Sequence, residues 1–370
     1  MTPPVAIRLE SFPVGILEDW GWDSKWAEAF GEDAGKGFFP ARLIEEQRGL
    51  FQVMTLEGVK SARTTGNMRH KAEGRADLPA VGDWASLEFP KNERVALIRR
   101  ILPRRTKLSR KAAGDVMMEQ VIAANLDAVL VMTALNAEFS ARRLERFLTV
   151  SRESGAEPVL VLNKADACPD AGPMLAEAKA VAGDAKVIAI SAKTGAGLDA
   201  LNAWIKPGRT VGLVGSSGVG KSTLVNRLAG NEDIKTAETR FKDQRGRHTT
   251  THRQLFVLPG GGILLDTPGM REMQFWEADQ GLAKTFDEIE SLAPGCRFKD
   301  CAHGAEPGCA VKAAVSAGTV KQERVDAWRK LKREAGADAR RKDPAPQPSE
   351  KQQWKTANKA ERKRIKEKKK

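Results

Sequence analysis

The fold of this chain is decided by one short stretch of its sequence, Gly215-Ser216-Ser217-Gly218-Val219-Gly220-Lys221-Ser222. The stretch has the pattern G-x-x-x-x-G-K-S, which is typical of loops that bind nucleotide phosphates. An apolar, β-prone run precedes it at 210–214, and apolar residues at helical spacing follow it at 222–228, as this motif requires. The loop and Thr223 would surround the phosphates with N–H groups, Lys221 would contact the β- and γ-phosphates, and Ser222 would bind Mg²⁺. The alternative is a glycine-rich turn that binds nothing.

Length, charge and the first residues restrict what the chain can be. Its 370 residues exceed one ordinary domain, so we expect two or three domains. A formal charge of +13 favours polyanionic partners. The start, MTPPVAIRLE, lacks the basic and apolar regions of a secretory signal, and no run of about eighteen apolar residues predicts a membrane span. We expect a cytoplasmic protein that acts as a monomer and does not bind membranes.

The N-terminal third is predicted to form an extension and a small barrel. Residues 1–40 hold several tryptophans and phenylalanines, which we interpret as packing groups rather than a stacking platform, with a short helix near 24–30. Residues 41–108 contain short strand-like runs between turn signals, at 49–56, 78–89 and 95–101. Several short strands in so small a region predict an OB-fold β-barrel.

A basic run lies at the end of the predicted barrel. Residues 91–111 contain nine Lys and Arg and a single acid, Glu93, which gives a local charge of +8. The cations are Lys91, Arg94, Arg99, Arg100, Arg104, Arg105, Lys107, Arg110 and Lys111. Surfaces that only face solvent usually mix both signs, so the run favours contact with RNA or DNA phosphates. A plain basic surface is the alternative.

Residues 109–280 change to buried strands that alternate with helices. Strands are predicted at 126–133, 157–162, 186–190, 210–214 and 262–266. Helices are predicted at 141–154, 174–181, 197–205 and 222–228. This alternation predicts an α/β domain with a mostly parallel sheet. The segment Lys206-Pro207-Gly208 is a linker that leads into the phosphate-binding loop.

Two motifs at strand ends indicate which base is bound. They are Asn163-Lys164-Ala165-Asp166, or N-K-x-D, and Ser191-Ala192-Lys193 at the end of the next strand. The Asp166 carboxylate can accept hydrogen bonds from guanine N1–H and the exocyclic amine, whereas adenine offers no such donor pair. The stem of Lys164 can cover the base, and a backbone N–H of the second motif can donate to guanine O6. Asn163 would contact the other edge of the base or tie its loop to the phosphate-binding loop.

The remaining phosphate-side groups are predicted further along the chain. The segment Asp266-Thr267-Pro268-Gly269 ends a strand, so Asp266 would hold Mg²⁺ through water and the Gly269 N–H would contact the γ-phosphate. One of Thr249, Thr250 and Thr251 should complete the Mg²⁺ shell, and we favour Thr250. Ordering of this loop by the γ-phosphate would then act as a switch.

The order of these motifs is unusual. In Ras-like GTPases the phosphate-binding loop comes first and the base-recognition motifs last, but here N-K-x-D and S-A-K precede G-x-x-x-x-G-K-S. The same site forms if the old termini are joined at 206–208 and new termini open elsewhere. The chain therefore has the pattern of a circularly permuted GTPase domain.

Residues 281–335 contain a Cys/His cluster with the spacing Cys296-x₄-Cys301-x-His303-x₅-Cys309. Three thiolates and one imidazole suit a closed, tetrahedral Zn²⁺ site with a structural role. Buried free cysteines and a surface histidine are the alternative. A helix is predicted at 320–334, and the basic residues 336–370 are predicted to form a disordered tail.

These features together resemble one family. The permuted order, the loop at 246–251, the upstream barrel and the downstream cluster are similar to the RsgA/YjeQ family of circularly permuted GTPases, over roughly residues 45–335. The resemblance implies GTP hydrolysis that the small ribosomal subunit stimulates during late assembly. It also implies an OB-fold and a zinc domain that grip rRNA, with one structural Zn²⁺, and Mg²⁺ that accompanies GTP or GDP.

The sequence indicates where catalysis takes place. Many GTPases carry a glutamine after D-x-x-G that orients the attacking water, but this chain has Met270 there. His248 is the polar substitute, and the resemblance implies a catalytic role for it; a surface or RNA-contacting histidine is the alternative. Lys221 and Thr250 complete the predicted catalytic set. The competing functions are an RNA-binding assembly scaffold with little turnover and an ATP-dependent enzyme, which Asp166 opposes.

Overall fold

One sheet of eleven strands runs through both main parts of the fold. The computed structural model describes residues 16–47, 49–111, 119–230, 253–266, 285–298, 300–304 and 306–342. The strands are β1 (Phe39–Gln47), β2 (Leu50–Thr55), β3 (Gly58–Thr64), β4 (Trp84–Glu88), β5 (Val95–Ile101), β6 (Lys107–Lys111), β7 (Glu119–Ala124), β8 (Ala128–Ala134), β9 (Glu157–Asn163), β10 (Lys186–Ala189), β11 (Thr210–Gly215), β12 (Gln254–Val257) and β13 (Ile263–Asp266). The helices are α1 (Ile16–Asp19), α2 (Ser24–Ala34), α3 (Gly66–Lys71), α4 (Ala141–Glu153), α5 (Gly172–Ala182), α6 (Lys221–Leu228), α7 (Asp287–Glu290), α8 (Ala310–Ser316) and α9 (Gln322–Lys342). None of these described helices is long and apolar enough to cross a bilayer.

Strands β1 to β5 close into a barrel in the order β1-β2-β3-β5-β4, with β4 pairing back to β1. Strands β3 and β5 are parallel, and the other pairs are antiparallel. The interior is filled by apolar side chains that are fully buried, including Leu43, Val53, Leu87 and Ile98. This arrangement confirms the OB-fold. Strands β1 and β3 escaped prediction because polar and charged residues, among them the buried Arg42, interrupt their apolar alternation.

The aromatic residues of the N-terminal segment pack against this barrel, as predicted. Helix α2 begins as expected at Ser24 and is capped by Asp23, whose carboxylate accepts a hydrogen bond from the Trp26 N–H at 3.0 Å. Trp26 and Phe30 are buried with Trp84 of the barrel in one cluster. The helix continues to Ala34, further than the predicted end near residue 30.

The α/β part forms a sheet in the order β10-β9-β8-β11-β13-β12. Its first five strands are parallel, and β12 runs antiparallel at the edge. Helices α4 and α5 pack on one face through Leu144, Phe147 and Ala178. Helix α6 packs on the other face through Leu224, together with Leu201. This doubly covered sheet confirms the predicted α/β domain.

The barrel and the α/β sheet are joined at one end of β12. Glu45 of β1 pairs with Gln254 of β12, so the hydrogen-bonded sheet continues from one part into the other. Arg42 strengthens the junction, because its Nη2 donates to Thr210 Oγ1 at 2.7 Å at the start of β11. Burial lowers the pKa of Arg42 to about 10, which leaves the side chain protonated at neutral pH.

Two local predictions differ from the structure. The helix expected at 197–205 is a short 3₁₀ helix, Leu198–Ala203, which follows Gly197 at φ +75°. Its sequence includes aspartate and asparagine, which have low helix propensity. The antiparallel hairpin of β6 and β7 was not predicted, because basic residues in β6 hide the alternation.

The C-terminal part consists of α7, a 3₁₀ turn at Ala293–Gly295, α8 and α9. Helix α9 runs from Gln322 to Lys342, so residues 336–342 are helical and not part of a disordered tail as predicted. The reason is local, since alanine, arginine and lysine in this stretch are good helix formers. Residues 343–370 lie outside the described part of the chain.

Candidate functional site

The predicted phosphate-binding loop connects β11 to α6 and is shaped by its glycines. Gly215 has φ +149°, and a Cβ atom there would overlap the backbone oxygen of Met132 on β8. Gly220 has φ +95°, and a Cβ atom there would overlap Asn163 Nδ2. Both positions therefore require glycine for conformation and for space. The loop is therefore packed against β8 and against Asn163 at the end of β9, where the first base-recognition motif begins.

Lys221 begins α6 and turns back over this loop. Its Nζ donates to the backbone oxygens of Gly215 at 2.7 Å and Ser216 at 2.6 Å. The ammonium group therefore lies against the inner side of the loop, where it would contact a phosphate that the loop surrounds. Ser222 is half-buried and Thr223 is exposed in the first turn of the same helix, where N–H groups lack partners within the helix.

Asn163 ties the two base-recognition motifs to the phosphate-binding loop. Its Nδ2 donates to the Val219 backbone oxygen at 2.8 Å. Its Oδ1 accepts a hydrogen bond from the Ala192 N–H at 2.9 Å. The side chain is 2% exposed, so both bonds are shielded from water. The sequence left two roles open for Asn163, contact with the base or connection of its loop to the phosphate-binding loop. The structure shows the connection between the two loops.

Asp166 is held at the open side of the same site. The Ser191 hydroxyl donates to Asp166 Oδ1 at 2.6 Å, and Ser191 itself accepts a hydrogen bond from the Thr194 N–H at 3.0 Å. Ser191 is fully buried, whereas Asp166 is exposed. Lys164 adopts φ +66°, which turns the chain sharply between Asn163 and Asp166. The carboxylate is thus presented to solvent with a fixed orientation.

The strand order explains why motifs distant in sequence meet here. Strands β8, β9, β10 and β11 are parallel neighbours, so their carboxyl ends lie along one edge, where α/β sheets bind ligands. Asp266 ends β13 on the same edge and is described by its backbone only. Apart from Lys221, the predicted switch and catalytic residues lie outside the described part of the chain, namely His248, Thr249, Thr250, Thr251 and Gly269, as does Met270.

Replacing Gly220 with alanine should destabilise this loop more than the same change at Gly218. Both residues have positive φ, but only the Cβ at Gly220 overlaps a neighbour, whereas a Cβ at Gly218 has nothing within 4 Å. Since backbone strain is common to both variants, the steric overlap should make Gly220→Ala lower the free energy of unfolding by about 1–3 kcal/mol more than Gly218→Ala. Urea denaturation without nucleotide measures both variants, and equal losses would contradict the packing of Asn163 described above.

The Cys/His cluster has the geometry of a tetrahedral metal site. The ligand atoms of Cys296, Cys301, His303 and Cys309 all lie within 4.8 Å of one another. His303 Nδ1 is 3.6 Å from Cys296 Sγ and 3.5 Å from Cys309 Sγ, and the two sulfur atoms are 3.8 Å apart. A tetrahedral Zn²⁺ with standard bond lengths separates two sulfurs by about 3.8 Å, and a sulfur from a nitrogen by about 3.5 Å. The residues therefore fit a structural Zn²⁺.

Neighbouring helices orient two of these four ligands, Cys309 and His303. Cys309 caps α8, where its Sγ accepts a hydrogen bond from the Lys312 N–H at 3.4 Å. The ring of His303 packs on Trp328 of α9 with a centroid distance of 4.8 Å. Burial and then the charge of Lys332 lower the pKa of His303, which favours the neutral imidazole that binds metal.

Five of the nine cations in the basic run at 91–111 pair with acids outside the run, so the run is less one-sided in the structure than in the sequence. The pairs are Arg99–Glu88, Arg100–Asp33, Arg104–Asp83, Arg105–Asp23 and Lys107–Glu119. The acid within the run, Glu93, pairs with Arg63 at 2.8 Å. Lys91 and Arg94 are exposed in the loop between β4 and β5 and have no acidic partner among the described residues.

Sequence reasoning missed two contacts of α4. Arg143 Nη1 donates to Ser216 Oγ of the phosphate-binding loop at 3.0 Å. The buried Glu145 pairs with Arg324 of α9, whose Nη2 also donates to the Thr285 backbone oxygen at 2.9 Å. Burial raises the pKa of Glu145, and Arg324 offsets part of that effect. One signal in the sequence could have indicated that these side chains have partners. Arg142 and Arg143 lie in the first turn of α4, where the helix dipole disfavours cations.

Comparison with known proteins identifies a family that this chain resembles. The family model described as RsgA GTPase matches residues 101–276. The chain is 44% identical over 357 residues to the small ribosomal subunit biogenesis GTPase RsgA of Opitutus terrae, and the match covers 94% of this chain and 97% of the relative.

Two solved structures share the fold. A crystal structure of YjeQ from Thermotoga maritima has a TM-score of 0.61 and 26% identity, with 80% of this chain and 98% of that chain covered. A structure of YloQ, a circularly permuted GTPase, has a TM-score of 0.58 and 24% identity, with 84% of this chain and 97% of that chain covered. Because its motif order is permuted and its sequence identity extends over nearly the whole length of a relative, the chain belongs to the RsgA GTPase family.

Proposed function

We propose that this chain binds GTP, hydrolyses it to GDP and phosphate, and does so on the small ribosomal subunit during the late stage of its maturation. The observation that carries the proposal is the buried bridge of Asn163 between the Asp166 loop and the phosphate-binding loop. The relative from Opitutus terrae is a small ribosomal subunit biogenesis GTPase by name, which supports this subunit as the partner. We also propose that the protein is cytoplasmic and acts as a monomer.

We assign the binding roles as follows. Asp166 accepts hydrogen bonds from guanine, Lys164 covers the base, and a backbone N–H in the segment Ser191-Ala192-Lys193 contacts guanine O6. The loop from Gly215 to Thr223 surrounds the phosphates. Bound Mg²⁺ would neutralise the β- and γ-phosphate oxygens, with Ser222, Asp266 and Thr250 as the residues that hold it. The Gly269 N–H contacts the γ-phosphate.

Phosphoryl transfer depends mainly on position and charge, which defines what the catalytic residues do. Lys221 supplies a fixed positive charge at the phosphates, and its contacts with Gly215 and Ser216 hold it close to the loop. His248 orients the attacking water, because Met270 cannot. Thr250 joins the metal shell and links this loop to the γ-phosphate.

Replacing His248 with alanine should preserve GTP affinity but lower the rate of hydrolysis on small subunits by about 10²-fold or more, since water positioning by a polar side chain contributes at least that much. Single-turnover hydrolysis with purified subunits measures the rate, and fluorescent nucleotide titration measures affinity. His252→Ala is the matched control and should retain the stimulated rate. A full stimulated rate in His248→Ala would remove the residue from the mechanism.

We further propose a division of the chain into an extension (1–40), an OB-fold domain (41–108), the permuted GTPase domain (109–280), a zinc-binding domain (281–335) and the basic segment that follows. The OB-fold and zinc-binding domains are the parts that contact rRNA. Lys91 and Arg94 are exposed cations of the barrel that can reach phosphates.

Nucleotide-dependent binding to ribosomal subunits tests this function. The full chain is mixed with purified small or large subunits and GDP, a non-hydrolysable GTP analogue or an ATP analogue, and co-sedimentation is measured. We expect binding to small subunits that the GTP analogue strengthens and the ATP analogue does not. Equal binding with all nucleotides would favour an RNA-binding scaffold, and preference for the ATP analogue would favour the ATP-dependent enzyme.

A further inference from the structure

A basic groove lies between α4 of the GTPase domain and α9 of the C-terminal part. Its volume is about 200 Å³. Its walls are Arg142, Arg143, Glu145, Arg146, Ala327, Lys330 and Leu331. A water molecule occupies about 30 Å³ in the liquid, so the groove has room for a phosphate group.

The residues that line the groove carry more positive than negative charge. Glu145 is the acid among the lining residues, and its carboxylate already pairs with Arg324 on the side of α9. Arg142 and Lys330 are exposed, and neither forms an ion pair with the acidic side chains that the structure describes, although the charge of Arg142 helps to lower the pKa of Glu145. Cations in the first turn of α4 also oppose the helix dipole, so Arg142 and Arg143 cost stability there. This charge arrangement complements an external anion.

The groove is connected to the nucleotide site through Arg143. Arg143 is one of the lining residues of the groove, and its Nη1 donates to Ser216 Oγ in the phosphate-binding loop at 3.0 Å. Because the donor is charged and forked, it can hold a phosphate oxygen and the serine hydroxyl at the same time. An anion in the groove would therefore restrain Ser216, the residue whose backbone oxygen also accepts from Lys221 Nζ.

We propose that the groove between α4 and α9 binds phosphate groups of RNA, and that Arg143 positions the phosphate-binding loop in response. The proposal rests on the function proposed above, and it names a contact surface and a positioning residue for it. Two elements from different parts of the chain supply the cations, so an RNA phosphate seated there would bridge the GTPase domain and the C-terminal part.

The salt dependence of subunit binding tests the groove. The double variant Arg142→Gln/Lys330→Gln is compared with Lys186→Gln/Lys206→Gln, which removes the same charge at exposed positions at the opposite edge of the sheet. Each full chain carries a GTP analogue, and its affinity for purified small subunits is measured at several salt concentrations. We expect the slope of log affinity against log salt to fall by about 1.4–1.8 in the groove variant alone, since each phosphate contact contributes about 0.7–0.9.

The outcomes separate this inference from the proposed function. Equal slopes in the two variants would overturn the groove but leave binding to small subunits intact. A wild-type chain that does not bind small subunits would instead overturn the proposed function. The same loss of slope is expected on protein-free small-subunit rRNA. A loss on subunits that is absent on this rRNA would assign the groove to an acidic protein and overturn the RNA assignment.

The role of Arg143 is tested by coupling to Ser216. We measure the ratio of GTP hydrolysis with and without small subunits in Arg143→Ala, Ser216→Ala and the double variant. If the hydrogen bond carries the effect, each single variant lowers the ratio by a similar factor and the double variant lowers it no further. Factors that multiply in the double variant, or ratios that equal the wild type, would overturn the positioning role.

Discussion

Replacing Asp166 with asparagine is expected to lower the affinity for GTP by roughly 10²–10⁴-fold. The carboxylate can accept two hydrogen bonds from guanine, and hydrogen bonds to charged groups contribute about 1.5–3 kcal/mol each. Asparagine would also direct an N–H group at the donor edge of guanine. Because Ser191 fixes the side chain through a 2.6 Å hydrogen bond, little rearrangement is available to relieve this conflict. Isothermal titration with GDP and GTP measures the loss.

Xanthine nucleotides provide the control for this variant. Xanthine has an oxygen where guanine has its exocyclic amine, so the asparagine amide can donate to it while its oxygen accepts from N1–H. We expect Asp166→Asn to bind xanthosine triphosphate more tightly than GTP, with ATP weak in both proteins. A variant that retains most of its GTP affinity would show that Asp166 does not read the base.

Replacing Cys309 with serine is expected to remove the zinc and unfold the region around it. Structural Zn²⁺ contributes about 10–16 kcal/mol to the folding of small zinc domains, and serine is a poor ligand for it. Serine can still cap α8 as Cys309 does, so the change isolates the loss of the thiolate. We expect metal analysis to give far less than one zinc per chain, and amides of α8 and of α9 up to Arg333 to exchange quickly with solvent.

Cys168→Ser is the matched control for zinc binding. Cys168 is half-buried and lies outside the cluster, so its replacement should leave one zinc per chain and the exchange protection of α8. Cys309→Ser should retain the nucleotide affinity of the wild type, because the nucleotide site lies at the edge of the α/β sheet and not in the zinc-binding region. A Cys309→Ser chain with full zinc content would contradict the assigned ligand set.

The features that could be predicted from sequence are those set by neighbouring residues. The glycines of the phosphate-binding loop, the N-K-x-D motif and the Cys/His spacing each lie within a few residues, so their chemistry is visible in a linear pattern. The order of the motifs was equally visible, and it predicted the permuted sheet that parallel pairing of β8 with β11 completes. The two roles open to Asn163 could be separated only by the contact with Val219.

What could not be predicted depends on residues far apart in the chain. The basic run at 91–111 looked one-sided because its partners, such as Asp23 and Asp83, lie well upstream. The contacts of Arg143 with Ser216 and of Arg324 with Glu145 likewise need the packed fold. Helix α9 extends beyond its predicted end. The charged composition of residues 336–342 predicted disorder, but the alanine, arginine and lysine residues among them also favour helix.

The rate of GTP hydrolysis with small subunits, compared with large subunits, tests the central claim most directly. If the permuted guanine-nucleotide site works as an enzyme on the small ribosomal subunit, purified small subunits should raise the turnover number of the full chain at least about tenfold, which corresponds to about 1.4 kcal/mol of activation free energy. Large subunits should not raise it. An unchanged turnover number with small subunits, or an equal increase with both, would contradict it.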